Sequence, residues 1–325
     1  MRAAFYEKNG AADAVLTIGE VETPKAGPGE VRVKLATSGI NPSDVKSRLG
    51  LTRKIAYPRV IPHSDGAGVI DQIGDGVAKT RLGERVWVWN GQWKRAFGTA
   101  ADYIALPSAQ AVTLPGKISF EAGACLGIPA MTAFHAVELA GTAKGMTLLV
   151  SGGAGSVSQY VIEFAKARGA TILTTVSSPE KARIARDSGA DHTIDYRRED
   201  VGARVMDVTG KQGVDAIIEM DIAANAKLIP SVLKPKGSVI IYGTGAAEAT
   251  IPAQFCLVSS IRLQFFLVYE LDATRREHVV NGINRALEAG ILGNRLSEPF
   301  ALDQIVAAHQ AVENGSATGK AVLKL

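Results

Sequence analysis

The chain has 325 residues, of which 46% are hydrophobic and 21% are charged, so it has the composition of a globular protein and room for two domains. Its formal net charge is +4, but Lys and Arg are scattered along the sequence, which gives little support to nucleic-acid binding. Two cysteines, Cys125 and Cys256, are too few for a four-cysteine zinc cluster or a disulfide framework, and they favour a reducing compartment.

The N-terminal residues 1–10 have the pattern of a short strand and lack the apolar core of a signal peptide. No uninterrupted apolar run approaches the roughly 18 residues of a membrane helix. We therefore expect a cytoplasmic protein without a membrane partner.

Residues 1–116 alternate short apolar and charged runs with Gly and Pro, which is typical of a β-rich domain. From residue 147 the pattern changes to an apolar strand, a turn and an amphipathic helix, repeated several times, which predicts an α/β domain with a parallel sheet. The predicted strands of this domain are 147–151, 171–176, 192–195, 214–219 and 238–242. A further apolar strand is predicted at 261–269, followed by a helix at 274–289.

A Gly-rich turn, from Gly152 to Ser158, lies between the first of these strands and a predicted helix. Gly153 and Gly155 match the first two glycines of a dinucleotide-binding motif, and Ser158 replaces the third. Residues without Cβ let the backbone approach a pyrophosphate, which the helix N-terminus attracts. Taken alone, the motif is as consistent with a ligand-free turn, but the strand before it and the helix after it favour nucleotide binding.

The end of the second strand predicts which nucleotide binds. An NAD enzyme usually has an acid there for the ribose 2′-hydroxyl, whereas residues 174–178 contain only Thr, Val and Ser. Lys181 follows on a helix that Ser178 is predicted to cap, and its charge would attract a 2′-phosphate. This pattern favours NADPH, although a solvated surface lysine is an equally good interpretation of Lys181.

At this point the sequence resembles the zinc-free quinone oxidoreductases, the ζ-crystallin-like branch of the medium-chain dehydrogenase/reductase superfamily. The resemblance spans nearly the whole chain and rests on these segments: 39–42 (GINP), 64–70 (SDGAGVI), 74–77 (GDGV), 127–133 (GIPAMTA), 152–158 (GGAGSVS), 189–192 (GADH), 217–220 (IIEM) and 319–320 (GK).

The resemblance implies an α/β fold, with a Rossmann doubly wound parallel sheet and a β-rich GroES-like barrel domain. Its expected boundaries are 1–120 and 268–325 for the GroES-like domain and 121–267 for the Rossmann domain, with the active cleft at their junction. The zinc-dependent relatives have a ligand Cys where this chain has Asn41 and a ligand His where it has Ser64. No metal is therefore expected, and we interpret the neighbouring His63 as a satisfied loop or surface histidine.

The expected function is hydride transfer from NADPH to a quinone, without zinc. The alternatives are reduction of the activated double bond of 2-alkenals or enones, and, from another class, a crystallin-like nucleotide- or RNA-binding role. By similarity, the residues expected in catalysis are Asn41, Asp44 and Thr132. The residues expected at the cofactor are Asn41, Thr132, Gly152, Gly153, Ala154, Gly155, Ser156, Val157, Ser177, Lys181, Tyr196, Gly243, Thr244, Gly245 and Lys320.

Some relatives have a cofactor-contacting Tyr in the loop after Gly50, but residues 51–55 read LTRKI, so a tyrosine-assisted step is not expected. Lys46 and Arg48 are interpreted as solvated rather than as stabilisers of a quinol oxyanion. Trp87 and Trp89 are predicted to be core residues, with Trp93 at the cleft. The apolar strand near 263–269 implies a homodimer, or equally a buried strand within one subunit.

Overall fold

The computed structural model describes residues 1–293, 298–317 and 319–325. Its strands are β1 (Arg2–Phe5), β2 (Thr17–Glu20), β3 (Glu30–Gly39), β4 (Asp65–Ile73), β5 (Arg85–Val88), β6 (Tyr103–Pro107), β7 (Ala111–Thr113), β8 (Thr147–Val150), β9 (Thr171–Val176), β10 (His192–Asp195), β11 (Val214–Glu219), β12 (Leu233–Ile241), β13 (Arg262–Phe265), β14 (Phe300–Ala301) and β15 (Val322–Lys324). Its α-helices are α1 (Ala12–Val15), α2 (Pro42–Leu49), α3 (Phe120–Gly123), α4 (Met131–Leu139), α5 (Ser156–Ala167), α6 (Pro179–Asp187), α7 (Val201–Val208), α8 (Ile222–Asn225), α9 (Ile229–Val232), α10 (Ala253–Val258), α11 (Ala273–Glu288) and α12 (Ile305–Glu313). No helix in the described part of the chain has the length and apolar character needed to cross a bilayer.

One unit of the structure comprises Ala130–Gly293 and contains a six-stranded parallel sheet. The strand order β10-β9-β8-β11-β12-β13 is the 3-2-1-4-5-6 order of a doubly wound nucleotide-binding sheet. The central strands are apolar on both faces because helices cover both, and Leu149, Leu173 and Ile217 share one buried cluster. The predicted Rossmann-type architecture is confirmed.

The other unit comprises Met1–Pro129 and the C-terminal segment that ends at Leu325. Its main sheet is mostly antiparallel, in the order β14-β15-β3-β4-β5-β7, with β6 also paired to β3. Strand β15 pairs with β3 in antiparallel register, so the C-terminus completes this sheet as the resemblance implied. Alternating apolar residues of β3, among them Val31, Val33 and Leu35, face its core.

The boundaries of these units differ from the predicted ones. Residues 268–293 lie with the parallel sheet because α11 packs on α4, so closely that a Cβ at Gly282 would overlap the ring of Phe134. Residues 121–129 lie with the β-rich unit, in which the Ile128 N–H donates to the Asp65 carboxylate at 2.8 Å. Residues 294–297 and Thr318, within the predicted C-terminal part, lie outside the described residues.

Strand β13 is shorter than the predicted strand at 261–269. It pairs with only four residues of β12, and a 3₁₀ turn at Val268–Glu270 follows. Since β12 itself ends at Ile241, the chain beyond Phe265 has no neighbouring strand to extend along. Helix α11 and strands β8 to β11 match their predictions to within one residue, whereas β12 begins at Leu233, five residues before its predicted start.

Candidate active site

The Gly-rich turn is held by two threonines of β9. The Gly152 N–H donates to Thr175 Oγ1 at 3.0 Å, and the Gly153 N–H donates to the Thr175 carbonyl at 3.0 Å. Gly152 has a φ of 63°, which a residue with Cβ rarely adopts, and a Cβ at Gly153 would overlap the Thr174 side chain. The Gly155 N–H donates to the Gly152 carbonyl at 2.9 Å, and the turn continues directly into α5, whose first amides have no acceptor within the helix.

Ser158 replaces the third glycine of the motif without weakening the packing. Its hydroxyl is buried and donates to the Ser151 carbonyl at 2.8 Å, which joins the start of α5 to the end of β8. The Ser151 hydroxyl in turn donates to the buried Glu219 carboxylate at 2.5 Å. Glu219 also accepts from the Asp221 N–H at 2.6 Å, so this acid fixes the loop after β11.

The residues expected at the adenosine phosphate lie beside neighbouring strand ends. Ser177 follows β9 directly, and Tyr196 follows β10 with 52% of its surface exposed. Lys181 is on the first turn of α6, where its N–H donates to the capping hydroxyl of Ser178 at 3.2 Å. The carboxyl ends of parallel strands lie along one edge of a sheet, so these positions share the edge on which the Gly-rich turn lies.

A cavity of about 540 Å³ lies at the same edge of the sheet. Its lining includes Ser151, Gly152, Thr175, Tyr196, Met220 and Asp221. This volume is within the usual range for small-molecule sites. Met220 and Asp221 were not among the expected site residues, although Met220 ends the quoted segment 217–220 and Asp221 directly follows it.

Gly243, Thr244 and Gly245 follow β12. The Gly245 N–H donates to the Asp221 carboxylate at 2.7 Å, and a Cβ at Gly243 would overlap the Met220 carbonyl. This loop therefore lies against the loop after β11, at the same sheet edge. Thr132, the remaining expected residue of this unit, is buried on the first turn of α4.

In the β-rich unit, the side chain of Asn41 is held at both ends. Its Nδ2 donates to Asp65 Oδ2 at 2.8 Å, while the Lys320 ammonium donates to its Oδ1. Lys320 also binds Asp65 Oδ2 at 2.9 Å, and the side chains of Lys320 and Asp65 are only 2% and 0% exposed. Lys320, expected at the cofactor, is thus engaged with Asp65 and Asn41, and Asp65 is a site residue that the sequence analysis missed.

Asp44 lies on the first turn of α2, immediately after the helix begins at Pro42. Its carboxylate accepts a hydrogen bond from the Asn41 N–H at 2.8 Å. Burial, followed by the negative charge of Asp65, raises the pKa of Asp44 to about 7, against the opposing effects of Asn41 and Lys320. The structure therefore brings Asn41, Asp44 and Lys320 into one buried cluster.

His63 lies in the loop before β4 with both ring nitrogens engaged, so a satisfied loop histidine fits the structure and a surface histidine does not. Its side chain is fully buried. Its Nδ1 lies 2.8 Å from Ser38 Oγ, and its Nε2 lies 2.9 Å from His309 Nε2. Burial lowers the pKa of both histidines, that of His309 to about 3, so both are neutral. His309, on α12, had no distinguishing pattern in the sequence.

Arg48 extends this network and is not solvated as expected. Its guanidinium is fully buried, lies 3.4 Å from His309 Nδ1, and is paired with the Glu313 carboxylate. The predictions for the tryptophans are confirmed for Trp87 and Trp89, which are buried in and beside β5. Trp93 is partly exposed in the loop that follows.

Both units of this chain are similar to known proteins. Residues 27–116 match the family model described as alcohol dehydrogenase GroES-like domain, and residues 156–284 match that described as zinc-binding dehydrogenase. The quinone oxidoreductase of Homo sapiens is 29% identical over the whole chain and 98% of the human protein. The 2-methylene-furan-3-one reductase of Solanum lycopersicum is 29% identical over 99% of this chain and 79% of its own. The structure of Escherichia coli quinone oxidoreductase complexed with NADPH superposes with a TM-score of 0.90 at 23% identity, over all of both chains.

The second family description names zinc, but the side chains at the corresponding place in this chain do not form a set of zinc ligands. Asn41 and Ser64 stand where the zinc enzymes have their Cys and His, and the Asn41 carboxamide is already occupied at both ends. The Lys320 ammonium, bound to Asp65, would repel a divalent cation at this place. Among the described residues, no group of three or more His, Cys, Asp or Glu side chains is arranged to hold a metal ion.

The residues present do not fit a catalytic zinc, whereas the Gly-rich turn and the strand order fit a dinucleotide. With both family models matched and relatives aligned along its whole length, the chain belongs to the medium-chain dehydrogenase/reductase superfamily.

Proposed function

We propose that this protein is an NADPH-dependent quinone oxidoreductase that transfers a hydride without zinc. The observation that carries the proposal is the clamp on Asn41, in which Asp65 and Lys320 hold a carboxamide where zinc enzymes hold a metal ligand. Without a metal to polarise an alcohol or ketone, an acceptor that is already electrophilic fits best. Similarity to human quinone oxidoreductase supports a quinone as that acceptor.

The residues proposed to hold NADPH follow the strand ends. The backbone from Gly152 to Val157 and the N-terminus of α5 would bind the pyrophosphate. Ser177, Lys181 and Tyr196 would surround the adenosine phosphate, and Gly243, Thr244 and Gly245 would lie along the dinucleotide. When bound, NADPH supplies the hydride.

Asn41 and Thr132 are proposed to orient the nicotinamide end. The side chain of Asn41 is preorganised for this role, because both its Nδ2 and its Oδ1 are held by hydrogen bonds. A preorganised group lowers the entropic cost of positioning a reactant. Asp44 and Lys320 would act through Asn41, the first on its backbone N–H and the second on its Oδ1.

The test is a screen of NADPH oxidation across ortho- and para-quinones, enones and alcohols, with metal analysis of the same sample. We expect turnover with quinones, little with alcohols, and no stoichiometric zinc. Turnover of alcohols by a zinc-containing sample would refute the proposal.

Reduction of an activated double bond is the second candidate, favoured by the similarity to the 2-methylene-furan-3-one reductase. The two reactions need the same hydride delivery and differ in product. Product analysis separates them, since an enone gives a saturated carbonyl compound and a quinone gives a quinol.

We further propose a homodimer, formed along the edge of the parallel sheet. Strand β13 is one of the two edge strands of this sheet, and apolar side chains near it in the sequence are exposed, namely Leu257 (81%), Val258 (78%), Phe265 (62%) and Leu267 (50%). Exposed apolar edges of this kind mark association sites.

Sedimentation of the parent chain and of Phe265→Glu tests the homodimer. We expect a dimer for the parent chain and a monomer for Phe265→Glu. A monomeric parent chain would refute the proposed dimer.

A cytoplasmic location is also proposed. It is supported by the two free cysteines, of which Cys125 is buried with its pKa raised by burial to about 12. Cell fractionation would test it, and recovery in a membrane or secreted fraction would count against it.

A further inference from the structure

Arg53, in the segment that follows α2, has a guanidinium fixed from three sides. Its Nε donates to Ser47 Oγ at 3.2 Å, and its Nη2 donates to Gln92 Oε1. The guanidinium carbon lies 5.1 Å from the centre of the Trp93 ring, a cation–π distance. These contacts hold a partly buried cation in one orientation.

This cation has no acidic partner in the described part of the chain. Arg32, Arg48 and Arg59 each pair with a carboxylate, whereas the partners of Arg53 are a hydroxyl, an amide oxygen and an aromatic ring. A guanidinium has five N–H donors, and these two hydrogen bonds leave the two on Nη1 and a second on Nη2 available. The Lys94 ammonium, 5.8 Å from the same ring, adds positive charge. Arg53 therefore has hydrogen-bond donors left for an anion.

Ser47 and Gln92, the two hydrogen-bond acceptors of Arg53, are both connected through the backbone to the neighbourhood of Asn41. Ser47 is six residues after Asn41 along α2, which corresponds to roughly 9 Å along the helix axis. Gln92 follows Gly91, whose N–H donates at 2.8 Å to the carbonyl of Ser64, the residue before Asp65. A substituted aromatic acceptor spans a distance of this order.

A second observation places Arg53 and Asp44 in the same neighbourhood. The buried hydroxyl of Tyr6 experiences both charges: burial raises its pKa to about 12, Arg53 opposes that rise and Asp44 adds to it. Both charges are therefore within electrostatic range of the same hydroxyl.

We propose that Arg53, supported by Trp93, binds an anionic substituent of the acceptor, so that the preferred acceptors are planar quinones carrying a carboxylate or sulfonate. The Trp93 face suits a planar ring, and the guanidinium fork suits a planar or tetrahedral oxyanion. This inference rests on the proposed quinone reductase function, in which Asn41 lies beside the nicotinamide.

The test compares 1,2-naphthoquinone-4-sulfonate with 1,2-naphthoquinone in the parent chain and in Arg53→Gln, with Lys54→Gln as a control that removes one charge from the same segment. We expect Arg53→Gln to lower kcat/KM for the sulfonate about 10- to 100-fold, mostly through KM, because a charge-assisted contact is lost. The loss with the neutral quinone should be at least ten times smaller, and Lys54→Gln should change neither.

Equal losses with both quinones, or no loss with either, would overturn the inference while leaving the proposed function intact. Failure of the parent chain to reduce any quinone would instead refute the proposed function. Arg53 can then still be tested by quenching of tryptophan fluorescence with naphthalene-1-sulfonate. Binding that Arg53→Gln weakens and Lys54→Gln does not would support the anion site, and identical binding by all three proteins would refute it.

Discussion

Lys320 Nζ lies 2.9 Å from Asp65 Oδ2 in the interior of the β-rich unit, and both groups bind the same asparagine side chain. The two charges lie 255 residues apart in the sequence, so the C-terminal segment fixes the side chain of Asn41 in the first fifth of the chain. This relationship underlies the first prediction.

Lys320→Met should destabilise the protein by about 3–5 kcal/mol, because it leaves the Asp65 carboxylate buried without its cation. Lys166→Met, which removes the half-exposed partner of Asp191, should cost no more than about 1 kcal/mol. Urea unfolding of the two variants measures the difference. Equal, small losses would show that the buried pair contributes no more than a surface pair.

Asp44→Asn should change how stability depends on pH. The folded pKa of Asp44 is about 7, above its ordinary 3.8, so the folded state binds more protons than the unfolded state between these values. Stability from this group is therefore present at low pH and is lost as the pH rises from about 4 to 7. Asparagine does not titrate, so Asp44→Asn does not lose stability in this way as the pH rises.

The unfolding free energy of Asp44→Asn relative to the parent should accordingly increase from pH 4 to pH 7, by at most about 4 kcal/mol. Unfolding curves at pH 4.5, 6 and 7.5 measure it. A constant difference across these pH values would contradict the assignment of a raised pKa to Asp44.

His309→Gln tests the neutral histidine pair. The pKa of His309 is about 3 when folded and near 6.5 when unfolded, so the unfolded state alone takes up a proton as the pH falls through this range. The parent should lose stability below pH 6.5 more steeply than the variant, by about 1.4 kcal/mol per pH unit. Equal slopes for the parent and His309→Gln would contradict the prediction.

Gly153→Ala should weaken NADPH binding about tenfold or more. The new methyl group would overlap Thr174, which is fixed by a 2.6 Å hydrogen bond to the Val150 carbonyl, so the turn must move. Gly116→Ala, where no atom lies within 4 Å of the added Cβ, is the matched control. Fluorescence titration with NADPH measures both, and unchanged affinity in Gly153→Ala would place the cofactor elsewhere.

The regular parts of the fold could be predicted from local pattern. Strands of the parallel sheet are apolar on both faces and flanked by turn residues, and the cap of α6 by Ser178 follows from residue type. The family motifs also led to Asn41. These features depend on residues that are close together in the sequence.

The parts that could not be predicted depend on contacts between distant segments. The ion pair of Lys320 with Asp65 could not be predicted, because the motif that contains Lys320 says nothing of a residue 255 positions away. The burial of His63 could not be predicted, because its partner, His309, lies 246 residues away on an otherwise ordinary helix. Arg53 could not be distinguished from any basic loop residue before Ser47, Gln92 and Trp93 were placed around it.

The central claim is metal-independent hydride transfer from NADPH to a quinone. The most direct measurement is the initial rate of NADPH oxidation with 1,2-naphthoquinone, before and after exhaustive dialysis against a zinc chelator. We expect the same rate in both samples, because Asn41 and the Lys320–Asp65 pair stand in the place of the metal site. A rate that falls on dialysis and returns with added zinc would contradict it.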